Sequence, residues 1–217
     1  MVKREITIII YMFKMHYLFF VLPPAIFVLA IAGRFMGSFD PYVFLSLIGF
    51  WVLVFPATSL MQQIGSLQQQ ELFISLPISP FLYGVINPVL LSLIYSLLFE
   101  VALCITLNGE MKLDEIIHII TASFPSACFL MLMTTTLIAL FKNSAIGICL
   151  ALFYLFFGLF TNGAGQGPFY LMQWYRPRLG TDAHEFILYH YAAIIFLCVL
   201  SYYILKFRER FHILKME

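Results

Sequence analysis

Apolar residues run along this chain in blocks of about twenty, separated by short stretches where charged and turn-forming residues collect. Six blocks stand out, at roughly 17–33, 42–61, 80–107, 115–141, 144–161 and 186–206. An α-helix rises 1.5 Å per residue, so about 20 apolar residues cross a hydrocarbon core of about 30 Å. The pattern therefore predicts an all-α integral membrane protein with six transmembrane helices in a single domain, 1–217. Helix-start chemistry agrees with the blocks. Asp40-Pro41 and Ser79-Pro80 each set a capping side chain before a proline at the first helical position. Asn143 is placed to cap the fifth span, and Asp182 with Glu185 gives a capping-box-like start to the sixth.

Composition strengthens the membrane reading. The 217 residues are 62% hydrophobic and 11% charged, against about 25% charged in a soluble domain. No soluble core of this size could bury that much apolar surface. The net charge of +1 says nothing about nucleic acid, and no basic cluster is large enough to suggest such a partner. Cys104, Cys128, Cys149 and Cys198 all fall inside apolar blocks, as small hydrophobes rather than a disulfide framework or a metal site. The first block is followed by Gly33-Arg34-Phe35 instead of a small-x-small site, so no cleavable signal peptide is expected.

Six spans place both termini on one side. With that side cytoplasmic, the inside holds Lys3, Arg4, Lys14, Lys142, Lys206, Arg208, Arg210 and Lys215, and the outside Arg34, Lys112, Arg176 and Arg178. The excess of basic residues inside sets the orientation. Residues 2–16 carry Ile6, Ile9, Ile10 and Phe13 at helical spacing among charges, which suits a helix lying in the inner interface; a frayed extension of the first span fits equally well. The longest outer connection, 162–185, contains Pro168, Phe169, Tyr170, Trp174 and Tyr175. Aromatic rings with a polar handle concentrate at the membrane boundary, so a short, partly inserted outer interfacial helix is expected there, with Phe169, Tyr170 and Trp174 as its anchors.

The only sizeable cytoplasmic loop is then 62–79. Within it Gln68, Glu71 and Ser75 share one helical face and Leu72, Phe73 and Leu76 the other, before Pro77 ends the turn. A short amphipathic helix tied closely to the third span can sit in a groove on a soluble partner and pass a push into the membrane. The segment "ELFISLPIS", Glu71 to Ser79, lying between the second and third of six spans, resembles the coupling helix of ABC-2 type transporter permeases of the compact bacterial exporter kind. The interfacial N-terminal helix, the short connection after span four and the hydrophobic outer segment before span six are similar to that family too. The likeness covers the whole chain as a layout and about nine residues as a motif.

The resemblance implies a non-catalytic transport subunit in the inner (plasma) membrane. Two such chains, identical or similar, would form a path clasped by separate soluble ATP-binding subunits that carry the P-loop. Gln68, Glu71, Leu72, Phe73, Ser75, Leu76, Pro77 and Ser79 would form the contact with the ATPase, and the cargo would be an amphipathic peptide, a lipid or a hydrophobic compound. Family members commonly carry Arg or Lys just after the Pro-x-Ser. Here Pro80 stands in that place and glutamines lie upstream, so docking would rely on hydrogen bonds and apolar contact. No GxxxxGK[ST] occurs in the chain. The alternative is a six-span substrate-binding subunit of an energy-coupling-factor type importer, for which the small-residue face is poorly developed.

Chemistry inside the spans is sparse. Glu100 lies mid-span in the third block, where a carboxylate is costly. With Ser92 and Ser96 it forms a stripe at i, i+4 and i+8 that should face helices or a water-filled cavity, either lining a substrate path or fixing packing. His184 and His190 are six residues apart, about 240° around a helix, so "HEFILYH" does not make the one-faced pair of a zinc protease. Thr134, Thr135 and Thr136 can bond back to their own helix and need no ligand. Pro23-Pro24, Pro56, Pro88 and Pro125 each free a backbone carbonyl in spans one to four. No catalytic, cofactor or metal residues are predicted.

The orientation has a direct check. A cysteine introduced at Gln69 should resist an impermeant thiol reagent applied to intact cells and react after lysis; labelling from outside would reverse the topology.

Overall fold

The computed structural model describes residues 17–37, 39–65, 79–177 and 183–207. All regular structure among them is helical. The spans are α1 (Tyr17–Met36), α2 (Pro41–Met61), α3 (Leu82–Leu107), α4 (Leu113–Phe141), α5 (Ser144–Thr161) and α6 (Ala183–Lys206). Each contains a stretch long and apolar enough to cross a membrane, which makes this a multi-pass membrane protein. The helical segment expected over 2–16, the capping role of Asp182 and the amphipathic loop helix lie outside the described residues; of the loop 62–79 the structure describes 62–65, which continue the helix of the second span to Gly65, and Ser79.

Local chemistry explains where the spans begin. The Asp40 carboxylate accepts from the amides of Tyr42 and Val43 at 2.9 and 3.2 Å. Asn143 Oδ1 accepts from the Ile146 amide at 3.2 Å, and Ser79 Oγ from that of Leu82 at 3.4 Å. Each meets an amide that the first helical turn leaves without a partner. Lys142 turns the chain in the left-handed region (φ 50°), so only two residues separate α4 from α5, which returns against it. Gly147 permits that closeness, because a β-carbon there would stand 2.9 Å from the Ile138 backbone nitrogen.

The centre of the bundle is α4. It packs against α2, α3, α5 and α6, and its residues 125–136 are buried on every side. A helix apolar all round is one enclosed by other helices. In the most apolar stretches of α2 and α4, 67% and 61% of residues are buried, against 22% in α1, α5 and α6. The outer helices instead present Leu18, Val28, Phe153, Phe160, Leu188 and Ile195 outward, as lipid-facing surfaces do. In α3 the division runs along one helix: Leu90, Ile94, Leu97 and Val101 face out while Ser92, Ser96 and Glu100 face in.

Prolines shape the spans, and two of the freed carbonyls find donors. Pro24 has no N–H for the carbonyl of Phe20, which instead accepts from Tyr95 Oη at 2.8 Å and joins α1 to α3. Ahead of Pro56, α2 passes through a π-helical turn, Leu45–Gly49, and a break at Val52 and Leu53, where the Val52 carbonyl accepts from the Phe55 amide at 3.1 Å. A second π-helical turn, Leu82–Ile86, precedes Pro88 in α3. There Gly84 lies against α6, its hypothetical β-carbon 3.2 Å from the Ser201 carbonyl oxygen.

The connection after α5 departs from expectation. Among its described residues the regular part is a three-residue 3₁₀ turn, Gly167–Phe169, followed by turns through Tyr175, with no longer helix before Ala183. Tyr170, Leu171, Met172 and Trp174 are buried in the bundle, and of the three expected anchors only Phe169 remains partly exposed. Trp174 enters an aromatic cluster with Phe50 of α2 and Phe99 of α3, at ring separations of 5.7 and 5.8 Å. The rings that read as membrane anchors thus pack largely against protein. Burial pushes the Tyr170 phenol above its ordinary pKa, with Arg176 acting in the opposite direction.

Candidate functional site

The polar stripe of α3 meets α4. Ser92, Ser96 and Glu100 are all buried, Glu100 at 5% exposure, so a carboxyl group sits inside an apolar bundle and has to be met there. Ser123 of α4 meets it. Its hydroxyl oxygen lies 2.9 Å from both Oε1 and Oε2 of Glu100 and 2.8 Å from the Ile119 carbonyl one turn back. A serine hydroxyl owns a single proton. Donated to Glu100, it leaves the second carboxylate oxygen unmet; donated to Ile119, it requires a protonated Glu100 that donates to Ser123 Oγ.

The seam extends along α4 beyond Ser123. Cys128 Sγ donates to Ser96 Oγ at 3.3 Å. Ser92 donates to the Val89 carbonyl of its own helix at 2.9 Å. One turn after Ser123, Ser126 Oγ stands 2.8 Å from the Ala122 carbonyl and 3.1 Å from Nδ1 of His190 on α6. His190 is buried between Phe129 and Phe186, with ring separations of 5.5 and 6.4 Å. Small hydroxyls on α4 therefore hold both of its polar neighbours, Glu100 of α3 and His190 of α6. Thr134, Thr135 and Thr136 bond back to the carbonyls of Leu130 and Leu132 at 2.7–2.9 Å.

Of the residues singled out from sequence, Ser92, Ser96 and Glu100 come together on the α4 face, and Phe169, Tyr170 and Trp174 on the connection. Ser79 caps the start of the third span. Gln68, Glu71, Leu72, Phe73, Ser75, Leu76 and Pro77 lie outside the described residues. The sequence pattern left Ser123 and Ser126 unmarked and gave Cys128 only as a small hydrophobe, whereas its thiol donates to Ser96. The available signal was a small polar residue at i and i+3 in an apolar helix, which in membranes marks a contact face.

Comparison with protein-family models, curated proteins and solved structures finds no match. The site therefore rests on its own chemistry. Among the described residues no group of three or more His, Cys, Asp or Glu is placed to hold a metal ion. The four cysteines are free, and Cys128 is the buried one. What the seam can do chemically is exchange hydrogen bonds between helices, and keep a carboxyl and an imidazole on either flank of α4.

The Glu100 environment yields a test. Glu100→Gln supplies an amide donor to Ser123 at nearly the same volume, and its stability in detergent should stay within about 1 kcal/mol of the native chain. Glu100→Arg puts a cation into the same enclosed position and should cost about 2.5–3.5 kcal/mol, the scale of a charge at mid-membrane. Thermal unfolding followed by size-exclusion chromatography measures both. Equal loss from the two substitutions would remove the donor–acceptor account.

Proposed function

We propose that this chain is the membrane-spanning subunit of an exporter energised by separate ATP-binding subunits, working as a pair of identical or similar chains. The observation that carries the reading is where the irregular backbone falls. Among the described residues the two π-helical turns lie in α2 and α3, the spans that flank the loop bearing "ELFISLPIS". Inserted π turns recur at functional sites and loosen the regular ladder locally. A force delivered to the loop would reach both spans through segments able to yield, while α4 stays continuous between them.

In this reading Glu71, Leu72, Phe73 and Leu76 form the seat on the ATPase, and Ser79-Pro80 joins that seat to α3 with little slack. Nucleotide-driven closure of the ATPases tilts α2 and α3 against α4. The pair of chains opens a path alternately to the two sides of the membrane, with both termini and the loop on the cytoplasmic side. The lipid-facing surfaces of α1, α5 and α6 suit a cargo that is itself amphipathic: a peptide, a lipid or a hydrophobic compound.

The test is purification of the tagged chain from its native host membranes in mild detergent, with every stoichiometric partner identified. An ATPase with a P-loop should accompany the native chain. It should be lost from Leu72→Ala/Phe73→Ala and from Glu71→Arg, while both variants keep the native elution profile and unfolding temperature. Absence of an ATPase from the native preparation, or its full retention by both variants, would end the reading.

A further inference from the structure

Four oxygen atoms meet where α3 touches α4, and the hydrogens available to them decide which side chain donates. Ser123 Oγ stands 2.8 Å from the Ile119 carbonyl oxygen and 2.9 Å from each carboxyl oxygen of Glu100, yet its hydroxyl owns one hydrogen. Hydroxyls elsewhere in the spans show where that hydrogen goes. Ser46 and Thr58 of α2, Thr106 of α3 and Thr161 of α5 each donate to a carbonyl three or four residues back, at 2.7–2.9 Å. Thr134, Thr135 and Thr136 do the same within α4. Back-donation is the usual state of a serine or threonine in a membrane helix, and Ser123 holds the same geometry. Its hydrogen is therefore spent on Ile119, and its oxygen is left to accept.

The opposite distribution is costly. A Ser123 hydrogen turned toward Glu100 would serve a buried, ionised carboxylate with one neutral donor divided between two oxygens. Ring surface packs round this turn of α3: Phe27 of α1, Phe50 of α2 and Trp174 of the connection lie 5.7–5.8 Å from the neighbouring Phe99 ring. The titratable group that α4 brings near is the Cys128 thiol, itself a donor to Ser96. With a hydrogen on the carboxyl, each hydrogen of the contact has an acceptor, Glu100 giving to Ser123 and Ser123 to Ile119. Either carboxyl oxygen can carry it, since both lie at the same distance.

We propose that Glu100 is a proton-binding site inside the membrane-spanning bundle. Its carboxyl keeps a hydrogen at neutral pH and donates it to Ser123 Oγ, closing the chain Glu100–Ser123–Ile119 between α3 and α4. Loss of that proton leaves a charge in the seam that water or separation of the two helices must relieve, so the contact is a proton-sensitive latch. The native chain then binds a hydrogen that the unfolded, solvated chain gives up above the ordinary carboxylate range. Stability accordingly falls as pH rises, until Glu100 itself ionises. Release of this proton when α3 tilts would rest on the exporter reading. Its presence does not, because it needs no ATPase, and the two can fail separately.

Infrared spectroscopy of the full-length chain in dodecyl maltoside, a detergent without a carbonyl of its own, reads the proton directly. At neutral pH the native chain should show the carbonyl stretch of a protonated carboxylic acid, moved to lower frequency in heavy water and missing from Glu100→Gln. Ser123→Ala should keep that band but at higher frequency, because the acceptor is gone. A native chain without an acid band, or a band fully retained by Glu100→Gln, would overturn the proposal. Unfolding in mixed micelles gives a second readout. Between about pH 6 and 8 the unfolding constant of the native chain should rise relative to that of Glu100→Gln, by up to tenfold per pH unit. Parallel profiles for the two chains would contradict the assignment. If Glu100→Gln does not fold, the native and Ser123→Ala spectra decide the matter, since a band unmoved by Ser123→Ala would place the proton on another carboxyl group.

Discussion

A carboxyl group enclosed by hydrocarbon must be met by a donor or carry its own proton, and that requirement orders the interior of this bundle. Glu100 satisfies it through Ser123, which fixes the rotation of α3 about its axis. Once Glu100 faces α4, Ser96 comes within reach of Cys128 and the leucine-rich side of α3 is turned outward. One turn further along α4, Ser126 holds His190 of α6. Association of helices within a membrane gains little from hydrophobic burial, since lipid is as apolar as the helix surface; packing and such hydrogen bonds take over. The most enclosed helix is accordingly also the one with the most small hydroxyls at its contacts.

Around this fixed centre the backbone is irregular where prolines fall. The carbonyl freed by Pro24 is met by Tyr95 from another helix, which holds α1 in place. The one freed by Pro56 is met within α2 by the neighbouring amide of Phe55, so that repair leaves a local break rather than an interhelical tie. The π turns of α2 and α3 are likewise internal accommodations. The irregularity at Pro24 is thus tied to another helix, whereas that at Pro56 is repaired within its own span.

The six spans were legible because membrane thickness dictates block length, and Asp40, Ser79 and Asn143 were legible as caps because capping is local. The inward stripe of Ser92, Ser96 and Glu100 followed from helical spacing and the cost of polar groups in lipid. What spacing could not convey was the partner. Ser123 lies 23 residues from Glu100 and Ser126 lies 64 from His190, and such pairings depend on how helices are arranged around one another. The aromatic connection misled for a related reason. Tyr170 and Trp174 have the composition of a membrane-boundary segment, but the gap between α2 and α3 accommodates Trp174, and protein contacts replace those with lipid. The loop motif compared with ABC-2 permeases lies outside the described residues, so it bears on function through sequence alone.

The claim that the Ser123–Glu100 contact binds α3 to α4 is tested most directly by a double-mutant cycle. Unfolding free energies in mixed micelles of increasing denaturing detergent would be measured for the native chain, Glu100→Ala, Ser123→Ala and the double variant. A coupling of about 1 kcal/mol or more is expected, above the roughly 0.6 kcal/mol average for interhelical hydrogen bonds in membranes, because loss of Ser123 deprives a buried carboxyl group of its partner. Additive effects, with coupling near zero, would show that α3 is held by apolar packing and that the buried carboxyl does not organise the bundle.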